Sequence, residues 1–124
     1  MEKTSQTLDG FSGELFAGIP VKDIKISQAW YERFFGCPPS FFPNEKEAVW
    51  QLAEHRWIYI IVQPEHAGGS IQTILGDDLD KVIAQIAERG IDFEKEETPA
   101  ENVRKVMYFD PDGNEIGLGS ASAG

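Results

Sequence analysis

The chain has 124 residues, of which 41% are hydrophobic and 26% charged, and its formal net charge is −10. This length suits one domain with a single core, and the composition excludes a disordered chain, a collagen-like repeat and a coiled coil. The acidic excess argues against nucleic-acid binding, because phosphate contacts require a basic surface. No apolar run approaches the ~20 residues that a membrane-spanning helix needs, so we expect no membrane segment.

The chain start and the single cysteine suggest a compartment. Residues 1–6 are polar and hold no hydrophobic signal core, and Cys37 has no partner for an internal disulfide. We therefore expect a cytoplasmic protein. Residues 1–13 are predicted to be a flexible arm and the small residues 119–124 a flexible tail, which leaves a folded body at 14–118.

The folded body contains a weak internal repeat of a strand, an acidic helix start, a helix and a glycine. In the first copy, a strand over 15–21 leads to Asp23 and to a helix over 25–35, which ends at Gly36. The segment 71–90 repeats this order. Apolar residues recur at helical spacing in both copies, as expected of helices that pack one face against a sheet.

The ends of the two helices carry the residue types that such ends favour. Asp23 and Asp78 are predicted to accept hydrogen bonds from the free amides at the helix starts. Gly36 and Gly90 suit the left-handed conformation that commonly follows the last turn of a helix.

Strand signals follow each helix. After the first helix they cover 41–42, 48–53 and 57–63, with a turn at 54–56, and after the second they cover 91–94, 103–109 and 115–118, with a tight hairpin at 110–114. The order β-α-β-β-β thus occurs twice. It predicts an α+β domain with a first module at 14–63 and a second at 70–118.

Short motifs within this order resemble the vicinal oxygen chelate superfamily, the group of glyoxalases, bleomycin resistance proteins and ring-cleaving dioxygenases. The resemblance covers about residues 14–118 and implies two βαβββ modules that form a pair of curled, mostly antiparallel half-barrels around a cavity. The residues that carry it are Val21-Lys22-Asp23, Ala29-Trp30-Tyr31, Phe34-Phe35-Gly36, Asp77-Asp78-Leu79-Asp80, Glu88-Arg89-Gly90 and Asp110-Pro111-Asp112-Gly113-Asn114.

Many members of that family bind a divalent metal with His or Glu on the first and last strands of the modules. The resemblance places these positions at Phe16, Ile71 and Gly117, with a fourth inside 57–62, a segment that has no His, Asp or Glu. Such residues do not suit a divalent cation. We therefore expect no metal and no other cofactor, and we interpret the two histidines as exposed loop residues.

Strand alternation identifies candidate walls of the cavity. Aromatic members of this set offer stacking area and attraction for cations, and its carboxylate offers a charge partner. For the tryptophans and Tyr59, packing in the core or in a dimer contact remains an equal alternative, as does a solvated strand position for Glu115. The candidate ligand-binding residues are Phe16, Trp50, Trp57, Tyr59, Ile71, Thr73, Phe109 and Glu115.

The first functional hypothesis is a metal-free small-molecule-binding protein that takes an aromatic or cationic ligand, for resistance or sequestration. The alternative is a lyase, isomerase or dioxygenase-like enzyme of the same superfamily, with Glu115 as a base or with a metal site whose ligands lie elsewhere. A different α+β domain that serves as an interaction module is the third hypothesis. Because paired modules of this family often complete their cavities with a second chain, the resemblance also implies a homodimer.

Overall fold

The structure is a computed structural model, and it describes residues 9–11 and 13–121. In this part of the chain no helix is long and apolar enough to cross a membrane. A short 3-10 helix, Pro64–His66, lies between the two halves. The other elements are β1 (Leu15–Val21), α1 (Ile24–Phe35), β2 (Glu47–Ala53), β3 (Arg56–Val62), β4 (Ile71–Leu75), α2 (Leu79–Glu88), β5 (Lys95–Ala100), β6 (Val103–Phe109) and β7 (Glu115–Ala121).

The strands form two sheets with the same connectivity. The first sheet has the order β1-β3-β2, with β1 parallel to β3 and β3 antiparallel to β2. The second has the order β4-β7-β6-β5, with β4 parallel to β7 and the other pairs antiparallel. This arrangement of two unclosed, curled sheets with one helix each confirms the predicted α+β class and the two βαβββ modules.

The first module has a weaker outer edge than the second. The predicted strand at 41–42 is reduced to one bridge, between Phe41 and Val49. Pro39 and Pro43 flank this segment, and proline has no amide hydrogen for a sheet ladder. The edge strand therefore does not extend.

The two helices start in different ways. Asp23 Oδ1 accepts hydrogen bonds from the backbone nitrogens of Lys25 at 2.9 Å and Ile26 at 3.0 Å, and Gly36 ends α1 in the left-handed region with a φ of 81°. These positions confirm the prediction for α1. At α2, Asp78 has a φ of 53° and its side chain makes no capping hydrogen bond. The capping role predicted for Asp78 is therefore wrong.

Two predicted boundaries differ from the structure. The strand expected at 91–94 is a loop whose Ile91 is buried and whose Phe93 packs against the core, while β5 follows at Lys95–Ala100 with all its residues exposed. The tail expected from Gly119 starts too early, because β7 continues to Ala121 and Gly119 pairs with Leu75. Residues 122–124, and most of the predicted arm, lie outside the described residues.

The core lies between the helices and the sheets, and both modules contribute to it. Ile19 and Val21 of β1 are fully buried, and Ile86 of α2 is 2% exposed. The ring of Phe34 in α1 meets the ring of Tyr108 in β6 edge to face, with centroids 5.0 Å apart. Because each helix covers one face of its sheet, the opposite face of each sheet is free of helices.

The predicted hairpin at 110–114 ties the two modules together. Asn114 is fully buried, and its Oδ1 accepts hydrogen bonds from the backbone nitrogens of Gly68 at 3.0 Å and Ser70 at 3.1 Å. Its Nδ2 donates to the carbonyl oxygen of Pro20, in β1, at 2.8 Å. One side chain of the second module thus holds the linker and the first strand of the first module.

Candidate functional site

The helix-free face of the first sheet, which we call the first open face, carries a pair of stacked rings. Parallel pairing of β1 with β3 sets Phe16 opposite Trp57. Their ring centroids are 5.2 Å apart and their planes differ by 10°. Phe41 meets Trp57 edge to face at 6.0 Å. Phe16 is 45% exposed and Phe41 43% exposed, so the cluster presents aromatic surface to the outside.

Tyr59 continues this face next to Gly18. The pairing of β1 with β3 sets the two residues opposite each other, and the tyrosine ring lies over the glycine. A Cβ atom at position 18 would fall 2.7 Å from the Tyr59 hydroxyl oxygen. Glycine at position 18 is therefore what allows the ring to lie flat on the sheet.

Glu14 fixes Trp57 at the rim of the first open face. The Trp57 indole Nε1 donates a hydrogen bond of 2.7 Å to Glu14 Oε1, and His55 Nδ1 lies 2.6 Å from Glu14 Oε2. The hydrogen bonds from Trp57 and then from His55 hold the pKa of Glu14 below its usual value. The hydrogen bond to Glu14 thus orients the indole ring that stacks on Phe16, and the contact with His55 holds the Glu14 carboxylate in place.

The second open face is the corresponding face of the second sheet. Strand pairing sets Ile71 and Phe109 on either side of Glu115, with Thr73 opposite Gly117 on the next rung. Lys105 Nζ lies 3.4 Å from Glu115 Oε2, and both side chains are 19% exposed. This face therefore combines apolar groups with a sheltered ion pair.

A cleft of about 400 Å³ lies between the two sheets. Leu15 and Trp57 line it from the first sheet, and Thr73 and Leu75 line it from the second. A larger depression, of about 570 Å³, lies beside Cys37 and contains none of the predicted site residues. The cleft between the sheets contains one predicted residue from each module, Trp57 and Thr73.

Seven of the eight predicted ligand-binding residues lie on the open faces. Phe16, Trp57 and Tyr59 lie on the first open face, and the other four, which are Ile71, Thr73, Phe109 and Glu115, lie on the second. Trp57 and Thr73 also line the cleft. The other five lie outside its lining, which also includes Ala17, Ile58, Gln72 and Ile74 from the opposite faces of the same strands.

Trp50 is the residue that the structure places elsewhere. Its side chain is only 1% exposed, and its ring packs against Tyr31 and Phe35 of α1. Its Nε1 donates to the carbonyl oxygen of Cys37 at 3.0 Å. Trp50 belongs to the core on the helix side of β2, so the prediction that it lines the cavity is corrected.

The residues at the expected metal positions do not fit a metal ion. The Phe16 ring is stacked on Trp57, and a Cβ atom at position 117 would fall 2.5 Å from Cε of Lys105. Within residues 9–11 and 13–121, no group of three or more His, Cys, Asp and Glu side chains is placed to hold an ion. Phenylalanine and isoleucine side chains carry no donor atom for a divalent cation, and glycine has no side chain.

Sequence reasoning missed Lys105. It is one of two adjacent basic residues, Arg104 and Lys105, in β6, and only the strand register shows which of them reaches the open face. Arg104 points the other way and pairs with Asp80 and Glu96. The sequence did contain a signal for this contact, because Gly117 has no side chain and so leaves room on its face of the sheet for a long side chain from the neighbouring strand.

Comparison with known proteins identifies the family of this fold. The model of the Glyoxalase/Bleomycin resistance protein/Dioxygenase superfamily matches residues 15–118. The chain therefore belongs to this superfamily. No protein of curated function matches the chain.

Solved structures give particular relatives. A glyoxalase/bleomycin resistance protein from Catenulispora acidiphila DSM 44928 is 50% identical, with a TM-score of 0.84, over 89% of this chain and 99% of that one. TnmS3, an antibiotic binding protein from Streptomyces sp. CB03234, is 25% identical, with a TM-score of 0.68, over 90% and 98% of the two chains. A bleomycin-binding protein in complex with bleomycin has the same fold at 19% identity and a TM-score of 0.72, over 90% and 100%.

Proposed function

We propose that the chain is a metal-free protein that binds an aromatic small molecule and sequesters it, as in drug resistance. The observation that carries this proposal is the exposed stack of Phe16 on Trp57 beside the cleft between the sheets. A planar ligand that extends such a stack gains aromatic contact and buries apolar surface. The hydrogen bond from Trp57 to Glu14 orients the ring before the ligand arrives.

Similarity to antibiotic-binding proteins supports the same class of activity. TnmS3 is named as an antibiotic binding protein and shares 25% identity with this chain over 90% of its length. A cleft of about 400 Å³ falls within the range of small-molecule pockets.

The metal-free part of the proposal rests on two of the family's metal positions, Phe16 and Gly117. Phe16 is engaged in the aromatic stack, and Lys105 lies across Gly117. A positively charged ammonium next to this position opposes the binding of a second cation there. We therefore assign Phe16 on the first open face to stacking, and we propose no metal ion beside Gly117 on the second open face.

The enzymatic alternative has less support, because Glu115 is not a free carboxylate. Its Oε2 is shared with the ammonium of Lys105, and the pair is mostly sheltered from solvent. The same pairing makes Glu115 a poor partner for a cationic ligand. We propose no catalytic residue. We propose that the protein recognises the aromatic part of the ligand rather than a cationic group.

We propose that the protein forms a homodimer and that it acts in the cytoplasm. Several large apolar side chains on or next to the open faces are exposed in the single chain, and a monomer rarely leaves such a patch in water. A second copy that packs on the second open face would cover the apolar groups there and leave the stack of Phe16 on Trp57 accessible to a ligand. The exposed fractions are 45% for Phe16, 43% for Phe41, 64% for Ile71 and 72% for Leu75.

An NMR titration tests the binding proposal, because the three indole N–H groups occupy different places. Trp30 and Trp50 are buried in the core, whereas Trp57 is partly exposed on the first open face. Naphthalene carboxamide, a neutral planar probe, is added to protein that has been dialysed against EDTA. We expect the Trp57 signal to shift and saturate while the other two stay in place; a Trp57 signal that neither this probe nor the matching naphthalene carboxylate moves would contradict the proposal.

A further inference from the structure

The second open face carries two charged side chains that are unusually sheltered from solvent. The side chains of Lys105 and Glu115 are each 19% exposed, although their neighbours Ile71 and Leu75 are 64% and 72% exposed. Lysine and glutamate are normally the most exposed residue types and are sheltered only when they are paired. The ion pair is therefore a specific feature of this face.

Gly117 makes the position of Lys105 possible. A Cβ atom at residue 117 would fall 2.5 Å from Cε and 3.5 Å from Nζ of Lys105, and 3.5 Å from Thr73 Oγ1. Only glycine leaves this space, so the lysine side chain lies flat across β7. Its ammonium and the Thr73 hydroxyl flank the same point on the sheet.

Thr73 lies between this ammonium and the cleft, because Thr73 Oγ1 and Lys105 Nζ are each 3.5 Å from the Cβ position at residue 117, while only Thr73 lines the cleft. The cleft is lined by Thr73 on one side and by Trp57 on the other. A second ammonium, that of Lys95, lies 5.8 Å from the ring centroid of Phe109 on the same face. A ligand whose ring stacks in the cleft would therefore have a sheltered positive charge next to it.

We propose that Lys105 anchors an anionic oxygen of the ligand, a carboxylate or a phenolate, while the aromatic body of the ligand occupies the cleft beside Trp57. This inference rests on the proposed function and narrows its ligand class to aromatic acids. An ammonium has three donors, and Glu115 Oε2, at 3.4 Å from Lys105 Nζ, occupies only one side of it. A charge in a sheltered site also interacts more strongly than one in bulk water.

Three naphthalene probes of similar size and different charge test the inference. They are the carboxylate, carboxamide and aminomethyl derivatives of naphthalene with the substituent at one ring position, and their affinities are measured by calorimetry on the full chain. Lys105→Met should weaken binding of the carboxylate about tenfold or more, since a hydrogen bond to a charged group is lost. Lys105→Arg should retain most of it, and Lys81→Met, on the exposed side of α2, should change nothing.

A double variant separates a lost ligand contact from a damaged fold. Lys105→Met alone leaves Glu115 without a partner, which destabilises the protein. Lys105→Met combined with Glu115→Gln removes both charges, and we expect it to bind the carboxamide as tightly as the unmodified protein does while binding the carboxylate as weakly as Lys105→Met. Glu115→Gln alone should not weaken carboxylate binding.

The outcomes distinguish this inference from the proposed function. If the carboxamide or the amine binds but the carboxylate does not, or if Lys105→Met leaves carboxylate affinity unchanged, the inference is wrong and aromatic binding stands. Weaker carboxylate binding in Glu115→Gln would also overturn it. If none of the three probes binds, both the inference and the proposed function fail.

Discussion

The hydroxyl of Tyr31 in α1 donates a hydrogen bond of 2.8 Å to Oδ2 of Asp110, the first residue of the last hairpin. Asn114 Nδ2 donates to the same oxygen at 2.9 Å, and Asp110 Oδ1 accepts from the backbone nitrogens of Asp112 and Asn114, each at 2.9 Å. The helix of the first module is thus joined to a hairpin of the second through one buried carboxylate. This joint sets the position of one sheet relative to the other, and so the shape of the cleft.

Replacement of Asn114 should destabilise the whole domain. Asn114→Ala leaves the partly buried amides of Gly68 and Ser70 and the carbonyl oxygen of Pro20 without their partner. We expect the free energy of unfolding to fall by about 3 kcal/mol or more, as is typical when a buried hydrogen-bond network loses its centre. Urea unfolding followed by circular dichroism measures this. A loss below about 1 kcal/mol would show that the joint does not hold the modules together.

The Tyr31 hydrogen bond predicts a loss of stability at alkaline pH. Burial, and then the nearby Asp110, raise the pKa of Tyr31 above its usual value of 10.0. The unfolded chain therefore releases this proton near pH 10, while the folded chain retains it. The stabilisation is fully present below that pH and falls as the pH rises further, by up to about 1.4 kcal/mol per pH unit for one tyrosine.

Tyr31→Phe provides the control for this pH dependence. It removes the titrating group, so its unfolding free energy should depend less steeply on pH between about pH 9 and pH 11. Some slope should remain, because burial also raises the pKa of Tyr108. Urea midpoints across this range give the comparison. The same slope in both proteins would contradict the assignment to Tyr31.

Loss of the stacked indole should weaken ligand binding. Trp57→Ala removes the ring that faces Phe16, and we expect affinity for naphthalene carboxamide to fall by about tenfold, from lost stacking and lost apolar contact. Trp57→Phe keeps an aromatic ring but loses the hydrogen bond to Glu14, so its loss should be smaller. Calorimetry measures both. Equal losses in the two variants would assign the effect to the hydrogen bond instead of the stack.

A charge on the second open face should disrupt the proposed dimer. Ile71 is 64% exposed in the single chain, and Ile71→Lys places an ammonium where we expect the second copy to pack. Ile26, on α1, is 59% exposed and lies on neither open face, so Ile26→Lys is the matched control. Light scattering after gel filtration should find a monomer for the first variant and a dimer for the second. A dimer in both would locate the interface elsewhere.

The sequence predicted an element correctly where its hydrophobic pattern and the residue types at its two ends indicated the same boundaries. The helix expected at 25–35 is found at Ile24–Phe35, with Asp23 and Gly36 at its ends. It failed at β5, where Lys95–Ala100 is a polar edge strand with every residue exposed, so no alternation marks it. A strand was predicted just before it because Ile91 and Phe93 are apolar, but these residues pack against the core from a loop.

The site was predictable to the extent that strand faces were. On β3, buried Ile58 and Ile60 alternate with Trp57 and Tyr59, and the faces were assigned correctly. On β2 the run from Ala48 to Trp50 is buried throughout, so the sequence carries no alternation from which to place Trp50. The pairing of Lys105 with Glu115 depends on the register of β6 with β7, which spacing along one chain does not specify.

The most direct test of the metal-free aromatic site is the affinity for naphthalene carboxamide with and without metal. Calorimetric titrations are run on protein dialysed against EDTA, and on the same protein after addition of an equimolar amount of zinc, manganese or ferrous iron. Since Phe16 and Gly117 supply no metal ligand and Lys105 lies across Gly117, we predict the same affinity in every case. Binding that disappears in EDTA and returns when one of the metals is added would contradict the account.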